Sequence, residues 1–142
     1  MGLRRNAAFS LTDLALAARL QGDFAQAHRL YAESLAIFRE TGDRHNLVWA
    51  LEGQAGLLAA MGQAAPAAKL LGAAAALRTA AGAPVPPVER ERVVATVAAV
   101  RGWLGESAFA AAWGAGQHLS AEQAIADALA EPPPTGAPLA QR

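Results

Sequence analysis

A register of 40 residues runs through the first part of this chain and limits its fold more than any local propensity does. Gly22 and Gly62 stand 40 apart, and so do Gly42 and Gly82. In the same register Asn6 falls on Asn46, Leu11 on Leu51, Ala15 on Ala55, Ala25 on Ala65, Ala27 on Ala67, Leu30 on Leu70 and Ala36 on Ala76. Alanine matches count for little in a chain this rich in alanine, but the glycines and leucines count for more. A self-similar period of this length is the mark of stacked supersecondary units, each unable to bury its apolar face alone.

Each unit reads as two helices around a tight turn. In the first, Ala7, Leu11, Leu14, Ala15 and Ala18 form one helical stripe that ends at Gln21-Gly22-Asp23, where glycine can take the positive φ of a helix C-cap. The next helix carries Phe24, Ala27, Leu30, Tyr31, Ser34, Leu35 and Phe38, and stops at Thr41-Gly42-Asp43. In the second unit Leu47, Val48, Leu51, Ala55 and Leu58 stripe the first helix, and Met61-Gly62-Gln63 turns the chain. Pro66 sits early in the following helix, where its missing N–H costs little. That helix, with Leu70, Leu71, Ala74, Leu77 and Ala81 at helical spacing and alanines that let neighbours come close, is expected to be the middle helix of the fold.

Beyond Gly82 the pattern changes. After Ala83-Pro84-Val85-Pro86-Pro87, a helix from about Val88 aligns Val93, Val94, Val97, Val100 and Leu104, and Gly105 ends it. A shorter helix holds Phe109, Ala112 and Trp113 and is expected to stop before Gly114-Ala115-Gly116. Ser120 with Gln123 three residues on predicts a capping box for a last helix with Ala124, Ile125, Ala128 and Leu129 inward. From residue 132 the prolines predict a disordered tail. The expected architecture is all-α: two hairpins over 1–82 with a period of about 40, a cap of about three helices over 83–131 in the same domain, and the tail over 132–142.

Composition supports this class and narrows function. Of 142 residues 54% are apolar but only 6% aromatic, so alanine and leucine dominate, as helices favour. Twelve basic residues balance twelve acidic ones, so no net field steers the chain toward nucleic acid or anionic lipid. The absence of cysteine excludes a disulfide framework and fits a cytoplasmic setting. The N-terminal Arg4-Arg5 and apolar stretch are faintly like an export signal, but Asp13 interrupts them and Arg19 closes them. The alanine-rich run is broken by Arg78 before it reaches the length of a membrane span.

No motif for chemistry emerges. His28, His45 and His118 lie on different elements without ligand spacing and read as surface or loop histidines. No nucleophile elbow is present, and Gly105-Glu106-Ser107 reads as a helix entrance. The one lysine, Lys69, follows no phosphate loop. Glu89 and Glu91 suit a helix start, and Arg29 and Glu33 form an expected exposed pair one turn apart. Trp103 and Trp113 align with apolar stripes and are expected in the core. No enzyme activity, cofactor or metal is expected.

These hairpins resemble the tetratricopeptide family in a longer-period form. Its small and large packing positions fall on Leu11, Leu14, Ala15, Ala18, Ala27 and Tyr31, with Gly22 as turn glycine. The second unit follows at Leu51, Ala55, Leu58, Gly62 and Ala67, and departs at Gln54 and Leu71. The order of Ala68 to Arg78, Gly82 to Pro87, Phe109 to Gly116 and Leu119 to Ala124 is in turn similar to the C-terminal helical arm of LuxR-type transcription regulators and STAND-class signalling ATPases. That resemblance implies a sensor or interaction arm without the ATPase or the helix-turn-helix. The concave groove of the tetratricopeptide family would then fall on Phe9, Thr12, Leu16, Arg19, Trp49 and Glu52, with Trp49 as the anchor. The implied partner is a protein, a peptide or a small effector. An uncovered first helix also predicts self-association through that end, while the alternative is a structural piece of a larger array with no ligand of its own.

Overall fold

A computed structural model describes residues 2–82 and 87–130. It consists of seven helices: α1 (Gly2–Leu20), α2 (Phe24–Thr41), α3 (Arg44–Ala60), α4 (Ala64–Ala81), α5 (Pro87–Leu104), α6 (Glu106–Gln117) and α7 (Ala121–Leu129). No strand occurs among the described residues, and the all-α expectation holds. The connector at 83–86 and the tail at 132–142 lie outside the described residues.

The two units share a turn at the level of single hydrogen bonds. Gly22 and Gly62 take φ of 82° and 81°, a conformation that a Cβ disfavours. Around the first, the Gly22 N–H donates to Arg19 O at 3.0 Å and the Asp23 N–H to Ala18 O at 2.9 Å; around the second, Gly62 donates to Ala59 at 3.0 Å and Gln63 to Leu58 at 2.8 Å. This is the six-to-one and five-to-two pairing of a glycine-terminated helix. Helices α2 and α3 also start alike: Asp23 Oδ1 accepts from the Gln26 N–H and Asp43 Oδ1 from the Asn46 N–H, both at 3.2 Å, satisfying a donor that the first turn leaves free.

Burial follows most of the predicted stripes, but Ala7, Leu14, Ala81 and Val94 of those stripes are exposed. Ala27, Tyr31, Leu35 and Phe38 of α2 and Leu47, Val48, Leu51 and Ala55 of α3 are buried. Leu14, placed among the packing positions of α1, is 55% exposed, because no described helix lies against that side of α1. Helix α4 is the middle helix as expected, touching α3, α5, α6 and α7.

The cap begins as a continuation and then breaks the pattern. Helix α5 lies against α3 and α4, much as α3 lies against α1 and α2. Helix α6 then folds onto α4 rather than pairing closely with α5. Two glycines permit this: a Cβ on Gly72 would run into the Trp113 carbonyl, and one on Gly116 into the Lys69 carbonyl. That close approach explains why α6 does not stop before Gly114 but runs on to Gln117, since Gly116 is a helical contact residue rather than a terminator. Trp113 and Trp103 are only partly buried and cover the core edge instead of filling it. Phe109 is the buried aromatic of α6, its ring 5.5 Å from that of Trp113 and 4.6 Å from the Arg101 guanidinium carbon. The Ser120 capping box is present, with Ser120 Oγ accepting from the Gln123 N–H at 3.1 Å and Gln123 Oε1 from the Ser120 N–H at 2.9 Å. Arg29, expected to pair with Glu33, instead donates from Nε to Gln26 Oε1 at 3.2 Å.

Candidate functional site

The first helices of successive units, α1 and α3, and then α5, line one side of the stack. Between α1 and α5, over α3, they leave a cavity of about 210 Å³. Five of the six residues singled out from the sequence border it: Thr12, Leu16 and Arg19 from α1, and Trp49 and Glu52 from α3. Phe9, the sixth, stands behind the wall with its ring 5.6 Å from Trp49 and 5.7 Å from Phe38. Phe9 and Trp49 are 40 apart, so the repeat itself places these two aromatics side by side.

Roles within the group differ. Thr12 is buried, and its hydroxyl donates to Ala8 O at 2.9 Å, so it shapes the wall and offers no free donor. Glu52 is bound as well. Arg78 of α4 donates to its carboxylate through Nη2 at 2.5 Å and Nε at 3.3 Å, a two-point pairing of side chains each 8% exposed. Burial pushes the Glu52 carboxyl above its ordinary value; Arg78 opposes this by hydrogen bond and by charge, and Glu89 adds to it. Leu16, Arg19 and Trp49 are only partly buried and border the cavity, joined by residues the sequence reading did not select: Asp13, the buried Tyr31, and Glu89, Arg92 and Val93 of α5.

Two glycines bring this wall together. A Cβ on Gly53 would stand 2.5 Å from Tyr31 Cε1, so the phenol lies against bare backbone, and a Cβ on Gly56 would collide with the Arg19 guanidinium. Burial raises the Tyr31 pKa, with Arg19 and Arg92 pulling it down and Asp13 pushing it up. The phenol is therefore a neutral hydroxyl near neutral pH. The cavity thus combines an apolar centre of Leu16, Trp49 and Val93 with both signs of charge around it, an arrangement suited to a side chain or two of a polypeptide.

A second and larger cavity, about 410 Å³, opens on the other side among His28, Gln54, Leu58, Lys69, Leu70 and Asp127. His28 is buried there, not a surface histidine as its sequence context suggested. Gln54 Nε2 donates to Ala128 O at 2.9 Å and lies 3.0 Å from His28 Nδ1. A carbonyl can only accept, so the amide nitrogen faces it, and the neighbouring Nδ1 must accept too, placing the imidazole proton on Nε2. Gln54 Oε1 is buried without a partner. Lys69 Nζ meets Asp127 Oδ2 at 3.3 Å and pins α7 to α4. Among the described residues no group of three histidine or acidic side chains is placed to hold a metal, and no helix is long and apolar enough to cross a membrane.

Residues 4–80, more than half of the chain, match the tetratricopeptide repeat family. The chain belongs to that family. Tetratricopeptide repeats generally mediate protein–protein interaction and are typically non-catalytic. Neither the comparison with curated proteins nor that with solved structures gives a match. In this tetratricopeptide chain Leu71 occupies the place that Tyr31 holds one unit earlier and is buried there, so that departure from the repeat keeps the packing.

Proposed function

We propose that the chain is a non-catalytic binding module that takes a segment of a protein partner in the groove between α1 and α5. The observation that carries this is the position of Trp49, partly buried at the foot of the groove and backed by Phe9, with Leu16 and Val93 beside it and Arg19, Arg92, Asp13 and Glu89 around it. An aromatic anchored from behind and open in front is the usual centre of a recognition surface. The mixed rim favours a segment with an apolar residue flanked by charges of both signs. The sequence order from Ala68 to Ala124 supports a finer reading, in which this module acts in the cytoplasm as the sensor or effector arm of a LuxR-type or STAND-class regulator.

The test is selection of peptides from a displayed library on the purified chain, followed by titration of a synthesised winner. Trp49→Ala and Leu16→Glu should each weaken binding by at least about tenfold, as truncation of an interface hot spot does. Trp103→Phe, which lies outside the groove, should leave it unchanged. Selected peptides indifferent to Trp49 and Leu16 would refute the assignment. A second reading, a component of a larger array with no ligand in the groove, is favoured by the uncovered side of α1.

A further inference from the structure

The larger cavity lies away from the groove between α1 and α5 and shares none of its lining residues. At about 410 Å³ it falls in the range of small-molecule sites, which the 210 Å³ groove cavity does not reach. Its wall is mostly hydrocarbon, with Leu58 of α3, Pro66 and Leu70 of α4 and Ala112 of α6 among the lining residues. Lys69 and Asp127, which also border it, already meet each other at 3.3 Å. A charged ligand would therefore enter without a counter-charge of its own.

The polar part of the wall is different. His28, Gln54 and Ala128 all border the cavity, and Gln54 commits both of its amide hydrogens among them, one to the Ala128 carbonyl at 2.9 Å and one to His28 Nδ1 at 3.0 Å. The amide plane that joins these residues is part of the wall, and Gln54 Oε1 is the corner of that plane without a partner. Gln54 is 1% exposed, and a carbonyl enclosed to that degree is costly to leave without a donor. His28 in turn holds its proton on Nε2, and no group among the described residues accepts it. One acceptor and one donor are thus left over in a space otherwise lined by hydrocarbon.

We infer that this cavity is a binding site for a small uncharged alcohol of mainly hydrocarbon build, whose hydroxyl donates to Gln54 Oε1 and accepts from the His28 Nε2–H. A hydroxyl does both from one atom, whereas an ether can only accept and leaves Oε1 as it is. A water molecule could satisfy the amide oxygen, but the surface of Leu58, Pro66, Leu70 and Ala112 would stay wet. The carbon body of an alcohol removes that surface from water. The inference is independent of the groove, since neither cavity lends the other a residue.

Titration of the isotope-labelled chain with cyclohexanol, followed by NMR, tests this. Cyclohexanol should give saturable shifts of the Gln54 side-chain amide and the His28 imidazole. Methoxycyclohexane, which has the same ring without the donor, should bind at least about tenfold more weakly, the loss expected when a buried acceptor stays unpaired. Cyclohexylammonium and cyclohexanecarboxylate should be weaker by at least as much, because each brings in an unbalanced charge. In Gln54→Leu the alcohol should lose most of its advantage over the ether; if that variant does not fold, the comparison on the parent chain decides alone. Equal binding of alcohol and ether to the parent would overturn the inference, since the space would then be an unselective apolar void. So would cyclohexanol that leaves Gln54 and His28 unshifted up to its solubility limit.

Discussion

The first and second hairpins share their turns, yet corresponding side chains sit in unlike surroundings. Ala17 on α1 faces outward where Leu57 on α3 is enclosed. Thr12 and Phe38 of the first hairpin correspond to Glu52 and Arg78 of the second, so an uncharged pair of positions in one unit holds a buried ion pair in the next. The difference teaches that repetition dictates backbone, through glycines at positive φ, whereas place in the stack dictates the work of each side chain. The second hairpin is covered by the first on one side and by the cap on the other. It can hold groups that would be useless on a surface.

The widest contrast comes from placing a charge at matched positions. Leu57→Glu puts a carboxylate among Ala18, Ala27, Tyr31 and Met61 and is expected to prevent folding or to remove at least about 4 kcal/mol, beyond the range of ordinary point mutations. Ala17→Glu, its counterpart, should fall within about 0.5 kcal/mol of the parent. Urea titrations of the two variants check this. Equal losses would mean that α1 and α3 do not differ in cover as described.

A smaller effect is expected from exchanging the pair that distinguishes the units. Arg78→Phe alone strands the Glu52 carboxylate and should cost about 3–5 kcal/mol, the penalty of breaking a buried pair from one side. Adding Glu52→Thr gives the second hairpin the first one's residues at both places and should recover most of the loss, because an enclosed ion pair is often no more stable than uncharged packing. Denaturation of both single variants and the double variant gives the coupling directly. A double variant as unstable as Arg78→Phe would show that this part of the second hairpin depends on its charges.

Much of this arrangement was legible in the residues themselves. Glycine spacing exposes the turns, because the positive φ that needs glycine is a local property, and the helical period places Thr12, Leu16, Arg19, Trp49 and Glu52 on one side of the stack. The groove's third wall was not legible, since α5 reaches it only after a connector whose path no pattern encodes. The same holds for pairs made between helices. His28 with Gln54 and Glu52 with Arg78 each span 26 residues, so neither leaves a trace in any local period. Gln54 looked like a departure from the repeat and is the residue that receives the cap, through the Ala128 carbonyl. Arg78, a cation that follows an alanine-rich run in α4, carried a signal that could have been used: such a charge, once buried, is kept only with a partner. Leu14 misled because an apolar stripe shows which face can be buried without showing whether a neighbour covers it.

The smallest effect is a dependence on pH that the first hairpin should lack at the corresponding place, since Thr12 does not titrate. Burial raises the Glu52 pKa in the folded chain above its ordinary value of 4.5. Below 4.5 the group is protonated in both folded and unfolded chains and contributes no slope. As pH rises above 4.5 the unfolded chain releases its proton first while the folded chain retains it, so the contribution of Glu52 to stability declines until the folded value is passed and is constant thereafter. The informative quantity is the difference in urea midpoint between the parent and the Glu52→Thr, Arg78→Phe double variant, which isolates this pair. The parent should lose ground to the double variant as pH rises from 4.5. Glu89→Gln should narrow that window, because Glu89 is one of the charges that hold the Glu52 proton in place. A difference that stays flat with pH would mean that Arg78 fully offsets the burial of its partner.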